Sequence, residues 1–83
     1  MSYNLVGFYK NSFDSTHLER VFAKIKERNP SLTQSELYDY QSSKVTDLNI
    51  KNFPCILLFK DGTLQRKLDY KLTIDETIKK LRL

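Results

Sequence analysis

The sequence predicts an α/β fold in which a four-stranded mixed sheet carries helices on both faces, in the order β-α-β-α-β-β-α. Three observations predict this architecture. An apolar run follows Pro54 directly and ends at Asp61-Gly62, which is typical of a buried strand that enters a tight hairpin. Apolar residues in the first half of the chain recur at the 3.6-residue period of a helix face. Two Thr-x-x-Glu patterns mark candidate helix starts.

The first half of the chain predicts a strand and then an amphipathic helix. Tyr3–Tyr9 carries aromatic and branched residues on both faces, as a central strand does. The polar stretch Lys10–Thr16 follows it. Beyond that stretch, the spacing i, i+3, i+4, i+7 predicts one buried helix face made of Leu18, Val21, Phe22 and Ile25.

The ends of this helix have their own signals. Thr16 with Glu19 three positions later predicts a capping box at the start, and Asp14 or Ser15 are alternative caps. Asn29-Pro30 predicts the end, because the residue before a proline is driven out of the helical conformation.

A short strand and a short helix are predicted next. Glu36–Tyr40 is expected to form the second strand, although it is polar for an interior position. Ser42 or Ser43 is expected to start a helix that buries two apolar side chains, those of Val45 and Leu48. Asn49 is suited to a left-handed residue at the end of that helix.

The last third of the chain predicts a hairpin and a closing helix. Cys55–Lys60 is the predicted third strand, and it pairs through the Asp61-Gly62 turn with a fourth, Thr63–Asp69. Thr73 and Glu76 predict a capping box for a final helix that buries Ile74, Ile78 and Leu81. The first strand, helix and second strand should form a parallel, right-handed unit.

The stretch Val45–Gly62 resembles the second half of a thioredoxin-like domain. In that family a helix, an Ile-basic-polar-apolar linker, a cis-proline and a strand ending in Phe-Lys-Asp/Asn-Gly follow one another. Here these are Ile50-Lys51-Asn52-Phe53, Pro54 and the strand before Gly62. The resemblance implies a single minimal thioredoxin-like domain over residues 1–83, closer in length to a glutaredoxin than to a full thioredoxin.

The redox motif of that family is missing. Thioredoxin-like oxidoreductases carry Cys-x-x-Cys between the first strand and the following helix, where the helix N-terminus lowers the pKa of the thiolate. After Tyr9, the candidate tetrads begin at Ser12, Phe13 or Asp14, and none contains a cysteine. Gly7 also stands where thioredoxins usually carry a buried Asp. Since hydroxyls cannot perform thiol exchange, dithiol–disulfide oxidoreductase activity is excluded and no catalytic residue is expected.

The remaining groove predicts binding instead of catalysis. In thioredoxin-like proteins the backbone before the cis-proline pairs with an extended peptide or with glutathione, which is strand addition in miniature. The resemblance therefore implies a binding or regulatory module with a protein or peptide partner, glutathione being an alternative, and no cofactor. The hypothesised binding residues are Tyr9, Ser12, Phe13, Asp14, Ser15, Thr16, Phe53 and Pro54. The hydroxyl side chains among them are also ordinary helix caps.

Cys55 supports a second interpretation. As the single cysteine of the chain, it is the only candidate thiol for a monothiol redox or glutathione-binding protein. A free cysteine is also among the most frequently buried residue types and then behaves as a small hydrophobe. The second property favours an inert Cys55.

The composition limits which other classes of protein the chain could belong to. The chain has 83 residues, one cysteine and a formal charge of +4; one cysteine excludes an internal disulfide and favours a reducing, cytoplasmic location. Neither a signal peptide nor a membrane span is expected. The Lys/Asn-rich composition would suit a phage or mobile-element protein.

A basic stripe offers a third interpretation. His17, Arg20, Lys24 and Arg28 follow one side of the first predicted helix and could bind an acidic partner. Acidic neighbours along the same helix favour a solvated face, and nucleic acid is not an expected partner because basic and aromatic residues do not interleave. His17 lacks ligands at metal spacing, so it is expected to be solvated and no metal is predicted.

Overall fold

Four strands form one mixed sheet in the order β2-β1-β3-β4, and three helices pack on it. The computed structural model describes residues 2–30 and 32–82. β1 is parallel to β2 and antiparallel to β3, and β3 and β4 form an antiparallel hairpin. The elements are β1 (Tyr3–Tyr9), α1 (Ser12–Arg28), β2 (Leu32–Asp39), α2 (Ser43–Asp47), β3 (Cys55–Lys60), β4 (Thr63–Leu68) and α3 (Ile74–Leu81). The predicted sheet and the predicted order of elements are confirmed.

The central strand β1 divides the core into two parts. Leu5 of β1 packs with the buried residues of α1 and with Leu81 of α3 on one face of the sheet. Phe8 packs on the other face with Cys55, Leu57 and other residues near α2. Because both faces of β1 are covered, its apolar residues do not alternate with polar ones.

Helix α1 begins five residues before the position that the predicted cap at Thr16 implies. Asn11 is the N-cap, and its Oδ1 accepts a hydrogen bond of 2.9 Å from the backbone N of Asp14. The capping box predicted at Thr16 and Glu19 is wrong, because both residues lie inside the helix. Asn is among the strongest N-caps, so the polar residues after it join the first turns instead of forming a loop.

The rest of α1 agrees with the sequence pattern. The four predicted core residues, Leu18, Val21, Phe22 and Ile25, are buried. The helix ends at Arg28, and the side chain of Asn29 donates to the Ile25 carbonyl at 3.1 Å. None of the helices within residues 2–30 and 32–82 has the length and apolar character needed to cross a bilayer.

Strand β2 begins earlier than predicted and lies at an edge of the sheet. It covers Leu32–Asp39 instead of Glu36–Tyr40. Its edge position explains the polar composition that made its start hard to predict, since one side of the strand contacts no other strand. Only Tyr38 adds an aromatic contact to the core, with its ring stacked at 5.8 Å from that of Phe8.

The short helix α2 is confirmed, but one of its predicted core residues is not buried. Ser42 is the N-cap, and its hydroxyl accepts from the backbone N of Lys44 at 3.2 Å. Val45 packs against the core near Phe8. Leu48 is 37% exposed, so its predicted burial is wrong. The helix ends at Asp47, and the left-handed Asn49 (φ 55°) turns the chain immediately afterwards.

The hairpin and the final helix form as predicted. Asp61 (φ 50°) and Gly62 (φ 83°) make the two-residue turn that joins Lys60 to Thr63. Strand β4 ends one residue before the predicted Asp69. The Thr73–Glu76 capping box has both of its hydrogen bonds, and α3 buries Leu81 while Ile74 and Ile78 pack half-buried on the same core.

Of the two glycines, Gly7 is the one that neighbouring side chains crowd. A Cβ atom at this position would lie 2.8 Å from Leu37 Cδ2, 2.9 Å from Phe22 Cζ and 3.2 Å from Leu18 Cδ1. These side chains come from α1 and β2 and close over Gly7, so the packing leaves no room for a larger residue at this position.

We expect Gly7→Ala to lower the free energy of unfolding by about 1–3 kcal/mol, because Leu37 and Phe22 must move to admit a methyl group. Gly7→Asp should cost at least ~2 kcal/mol more, since it buries a carboxylate among apolar side chains. Urea denaturation of both variants measures the difference. The exposed control Gln65→Ala should stay within about 0.5 kcal/mol of the wild type, and equal losses for Ala and Asp would contradict the packing explanation.

Candidate functional site

The predicted site residues gather at one end of the sheet. Because β1 and β3 are antiparallel, the end of β1 meets the start of β3, with Phe8 opposite Cys55. Helix α1 starts three residues after β1 ends, and Pro54 directly precedes β3. Pro54 lines a recess of about 10 Å³ together with side chains of α1 that include His17 and Leu18. The Phe53–Pro54 peptide bond is cis.

The tetrad that begins at Ser12 forms the first turn of α1. Ser12 and Thr16 are exposed and Ser15 is half-buried. Asp14 is only 9% exposed. The hydroxyls of Ser12 and Thr16 are therefore available to a ligand, whereas Asp14 is held inside the structure.

A loop that the sequence did not connect with the site holds this turn in place. Lys71, between β4 and α3, places its Nζ 3.1 Å from Oδ1 of Asp14. One residue later, the carbonyl oxygen of Leu72 accepts a hydrogen bond of 2.7 Å from His17 Nε2. A carbonyl oxygen only accepts, so Nε2 must carry the hydrogen. The start of α1 is thus fixed to residues 71–72 by an ion pair and a hydrogen bond.

The prediction that His17 is solvated is wrong. Its ring is half-buried and bonded to a main-chain oxygen 55 positions away in the chain. Residues 70–72 carry no motif, and their role depends on a long-range contact that no local pattern encodes. Many helices have an Asp in the first turn and a Lys elsewhere in the chain. The sequence therefore could not indicate that Asp14 pairs with Lys71.

The three aromatic residues expected to line one groove point to different places. Tyr9 packs half-buried on the core below α1 and α3, and Phe53 packs on the core near α2. Phe13 is 82% exposed. A second exposed aromatic, Tyr70 at 50%, precedes Lys71 in the loop that holds α1. Phe13 and Tyr70 are therefore two of the exposed aromatic side chains at this end of the sheet, and Tyr40, which follows β2 and is 44% exposed, is a third.

Comparison with solved structures identifies the architecture. Thioredoxin-2 of the malaria parasite matches with a TM-score of 0.77 over 98% of this chain and 82% of that chain, at 15% sequence identity. The chain has a thioredoxin-like fold. No protein-family model matches the sequence, and no curated protein matches it.

Two further structures support the same thioredoxin-like fold. Thioredoxin O2 of Arabidopsis thaliana has a TM-score of 0.71 at 14% identity and covers 95% of this chain and 74% of its own. The other structure comes from a study of the yeast mitochondrial 1-Cys peroxiredoxin and the glutathione/thioredoxin systems. It has a TM-score of 0.74 at 18% identity, and the match covers 99% of this chain and 79% of that chain. At these identities the likeness establishes the thioredoxin-like fold, and chemistry must be argued from the residues of this chain.

The only thiol of this thioredoxin-like chain is enclosed. Cys55 has no exposed surface and packs with Phe8, Ile50 and Leu57. Burial raises the pKa of the Cys55 thiol to about 11, against a smaller lowering by the charge of Lys67. Cys55 is therefore protonated at neutral pH and has no path to a disulfide substrate in the folded chain.

The basic stripe of α1 is partly neutralised. Lys24 Nζ lies 4.0 Å from Glu27 Oε2, and His17 is bonded to the Leu72 carbonyl. Within the two described ranges, no three His, Cys, Asp or Glu side chains come together as a metal site requires.

We expect Cys55 to be protected from a thiol-reactive probe in the native protein at neutral pH. Since its folded pKa is raised above the ordinary value of 9.0, the stability linked to this thiol is present below about pH 9 and is lost as the pH rises towards about 11. The measurement is the labelling rate with and without denaturant across pH. Gly7→Ala should accelerate native labelling, because labelling then requires opening of the core. Rapid native labelling with a depressed pKa would overturn this assignment.

The Asp14–Lys71 ion pair should show coupling in a double-mutant cycle with Asp14→Asn and Lys71→Met. We expect about 0.5–1 kcal/mol, a value limited by the exposed Lys71 side chain. The more exposed Lys24–Glu27 pair is the matched control and should couple by less than about 0.5 kcal/mol. Urea denaturation at low and high salt measures both cycles, and equal coupling in the two would mean that Asp14–Lys71 does not hold α1.

Proposed function

We propose that this thioredoxin-like chain is a non-catalytic binding module that takes an extended segment of a partner protein. The segment would lie across the first turn of α1 and the residues beside Pro54. We call this the α1 surface; it comprises the side chains of Ser12, Phe13, Thr16 and Tyr70 and the main chain of Phe53 and Pro54. A lone, buried cysteine suits the reducing cytoplasm in which such a module would work.

The exposure of Phe13 is the observation that carries this proposal. A phenylalanine that is 82% exposed on a capped helix leaves apolar area in water with no internal contact to compensate for it. Aromatic side chains are enriched at the centres of protein interfaces. Tyr70, half exposed on the neighbouring loop, extends the same apolar surface.

The α1 surface is held rigidly before any partner arrives. Asn11 caps the helix that bears Phe13, and the Asp14–Lys71 pair and the His17–Leu72 hydrogen bond hold the loop that bears Tyr70. A rigid surface loses less conformational entropy on binding. The hydroxyls of Ser12 and Thr16 are exposed beside Phe13 and can bond to the main chain of an extended segment.

The properties of Cys55 weigh against the alternative of a monothiol redox protein. Its thiol has no exposed surface and a raised pKa, whereas a reactive cysteine is accessible and has a lowered pKa. The recess beside Pro54, at about 10 Å³, has room for about one water molecule and not for the thiol end of glutathione. A peptide that lies across the surface needs no such cavity.

The test is a selection of peptides from a random phage-displayed library on the immobilised protein. Peptides that bind the wild type and fail to bind the Phe13→Ser/Tyr70→Ser variant are kept, and each is titrated into the labelled protein by NMR. We expect amide shifts around Phe13, Phe53 and Tyr70, and a loss of affinity of about tenfold or more in the double variant.

Two controls make this result specific. Leu64→Ser removes another exposed apolar side chain, on β4, and should leave peptide affinity unchanged. Cys55→Ala should also leave it unchanged, whereas a monothiol function would be lost. If no peptide distinguishes the double variant from the wild type, or if the shifts map elsewhere, the α1 surface is not a binding site.

A further inference from the structure

A second surface lies at the opposite end of the sheet. The start of β1 meets the end of β3 there, with Tyr3 opposite Lys60. Two cavities that share Arg66 and Arg82 extend from this end along β4 and the last turn of α3, as far as Leu68. Their cationic lining residues, which we call the basic basin, are Lys60, Arg66, Lys79, Lys80 and Arg82. The basin reaches from Tyr3 and Lys60 to Leu68, which also lines the recess beside Pro54, so the two surfaces adjoin at Leu68.

The positive charge of the protein is concentrated in this basin. The whole chain has 14 basic and 10 acidic residues. Five of these basic residues lie in the basin. The basin therefore brings together more of the basic residues than any other cavity of the described chain.

No acidic side chain forms part of the basin. No Asp or Glu lines either cavity, and among the described residues the five cations form no ion pair. Glu76, one turn before Lys80, accepts hydrogen bonds from Thr73 at the start of α3. Asp61, next to Lys60, accepts from the backbone N of Ser2 at 2.9 Å.

The cations of the basin come from different elements of the fold. Arg66 projects from β4, whereas Lys79 and Lys80 occupy the last turn of α3 and Arg82 caps it. The negative end of the helix dipole stabilises cations in the last turn, but it does not account for Arg66 or Lys60, which the sheet brings to the same place. Apolar residues form the floor between them: Leu58, Leu68 and Leu81.

We propose that the basic basin docks an acidic segment of a partner protein, a short run of Asp and Glu side chains that includes an apolar residue. Arginine forks bind carboxylates with two parallel hydrogen bonds, and the apolar floor contacts the apolar residue. A nucleic acid fits less well. The rim aromatic, Tyr3, is half-buried under Lys60 rather than free to stack on bases.

The experiment is an NMR titration of the full chain with a synthetic peptide of alternating Asp and Glu around a central Leu, its ends blocked. We expect amide shifts in β4 and the last turn of α3, and an affinity that falls steeply as salt rises. Arg66→Gln/Arg82→Gln should weaken binding by about tenfold or more. The matched variant Arg20→Gln/Arg28→Gln removes two exposed arginines from α1 and the same charge, and should weaken it by less than about twofold.

Several outcomes would overturn the proposal. They are the absence of shifts in the basin, equal losses in the two double-arginine variants, and tighter basin binding of an oligothymidylate of equal charge than of the peptide. The test is independent of the α1 surface, because Phe13→Ser/Tyr70→Ser should leave the acidic peptide's affinity unchanged.

Discussion

The antiparallel register between β1 and β3 is the constraint on which the other features depend. It places Phe8 opposite Cys55 at one end and Tyr3 opposite Lys60 at the other. The first pairing brings the start of α1 to Pro54 and encloses the single thiol in the core. The second pairing brings Lys60 to the cations of β4 and α3. This register therefore brings together residues of both candidate surfaces. It also places the cysteine in the core, where it belongs to neither surface.

The close packing of α1 on β1 depends on the absence of a side chain at Gly7. There Leu18, Phe22 and Leu37 meet over the strand. The first turn of α1 carries hydroxyls, a phenylalanine and a paired aspartate in place of thiols. This turn is capped, is held by an ion pair and carries an exposed aromatic side chain, and these features are suited to binding.

Local signals predicted most of the fold because they act within a few residues. β1 and β3 were predicted to the residue, and so were the Asp61-Gly62 turn and the Thr73–Glu76 capping box. The predictions failed where several local solutions competed. Five residues between positions 11 and 16 are of the types that cap helices, and the structure uses Asn11. Leu48 fitted a helix face, but its helix ended one residue earlier.

The sequence predicted only part of the candidate site, because the other part depends on long-range contacts. Its first part, residues 12–16 with Phe53 and Pro54, follows from the order of the elements. Its second part is the loop of Tyr70, Lys71 and Leu72, which reaches α1 through contacts across more than 50 positions. The sequence by itself determined the α/β class, the order of the elements, the hairpin turn, the cap of the final helix and the absence of a dithiol, since each depends on residue identity and short-range spacing. Only the tertiary structure decided that His17 is bonded, that Cys55 is enclosed, that Phe13 is left in water and that five cations converge. These depend on which distant segments share a face, and that is decided by packing over the whole chain.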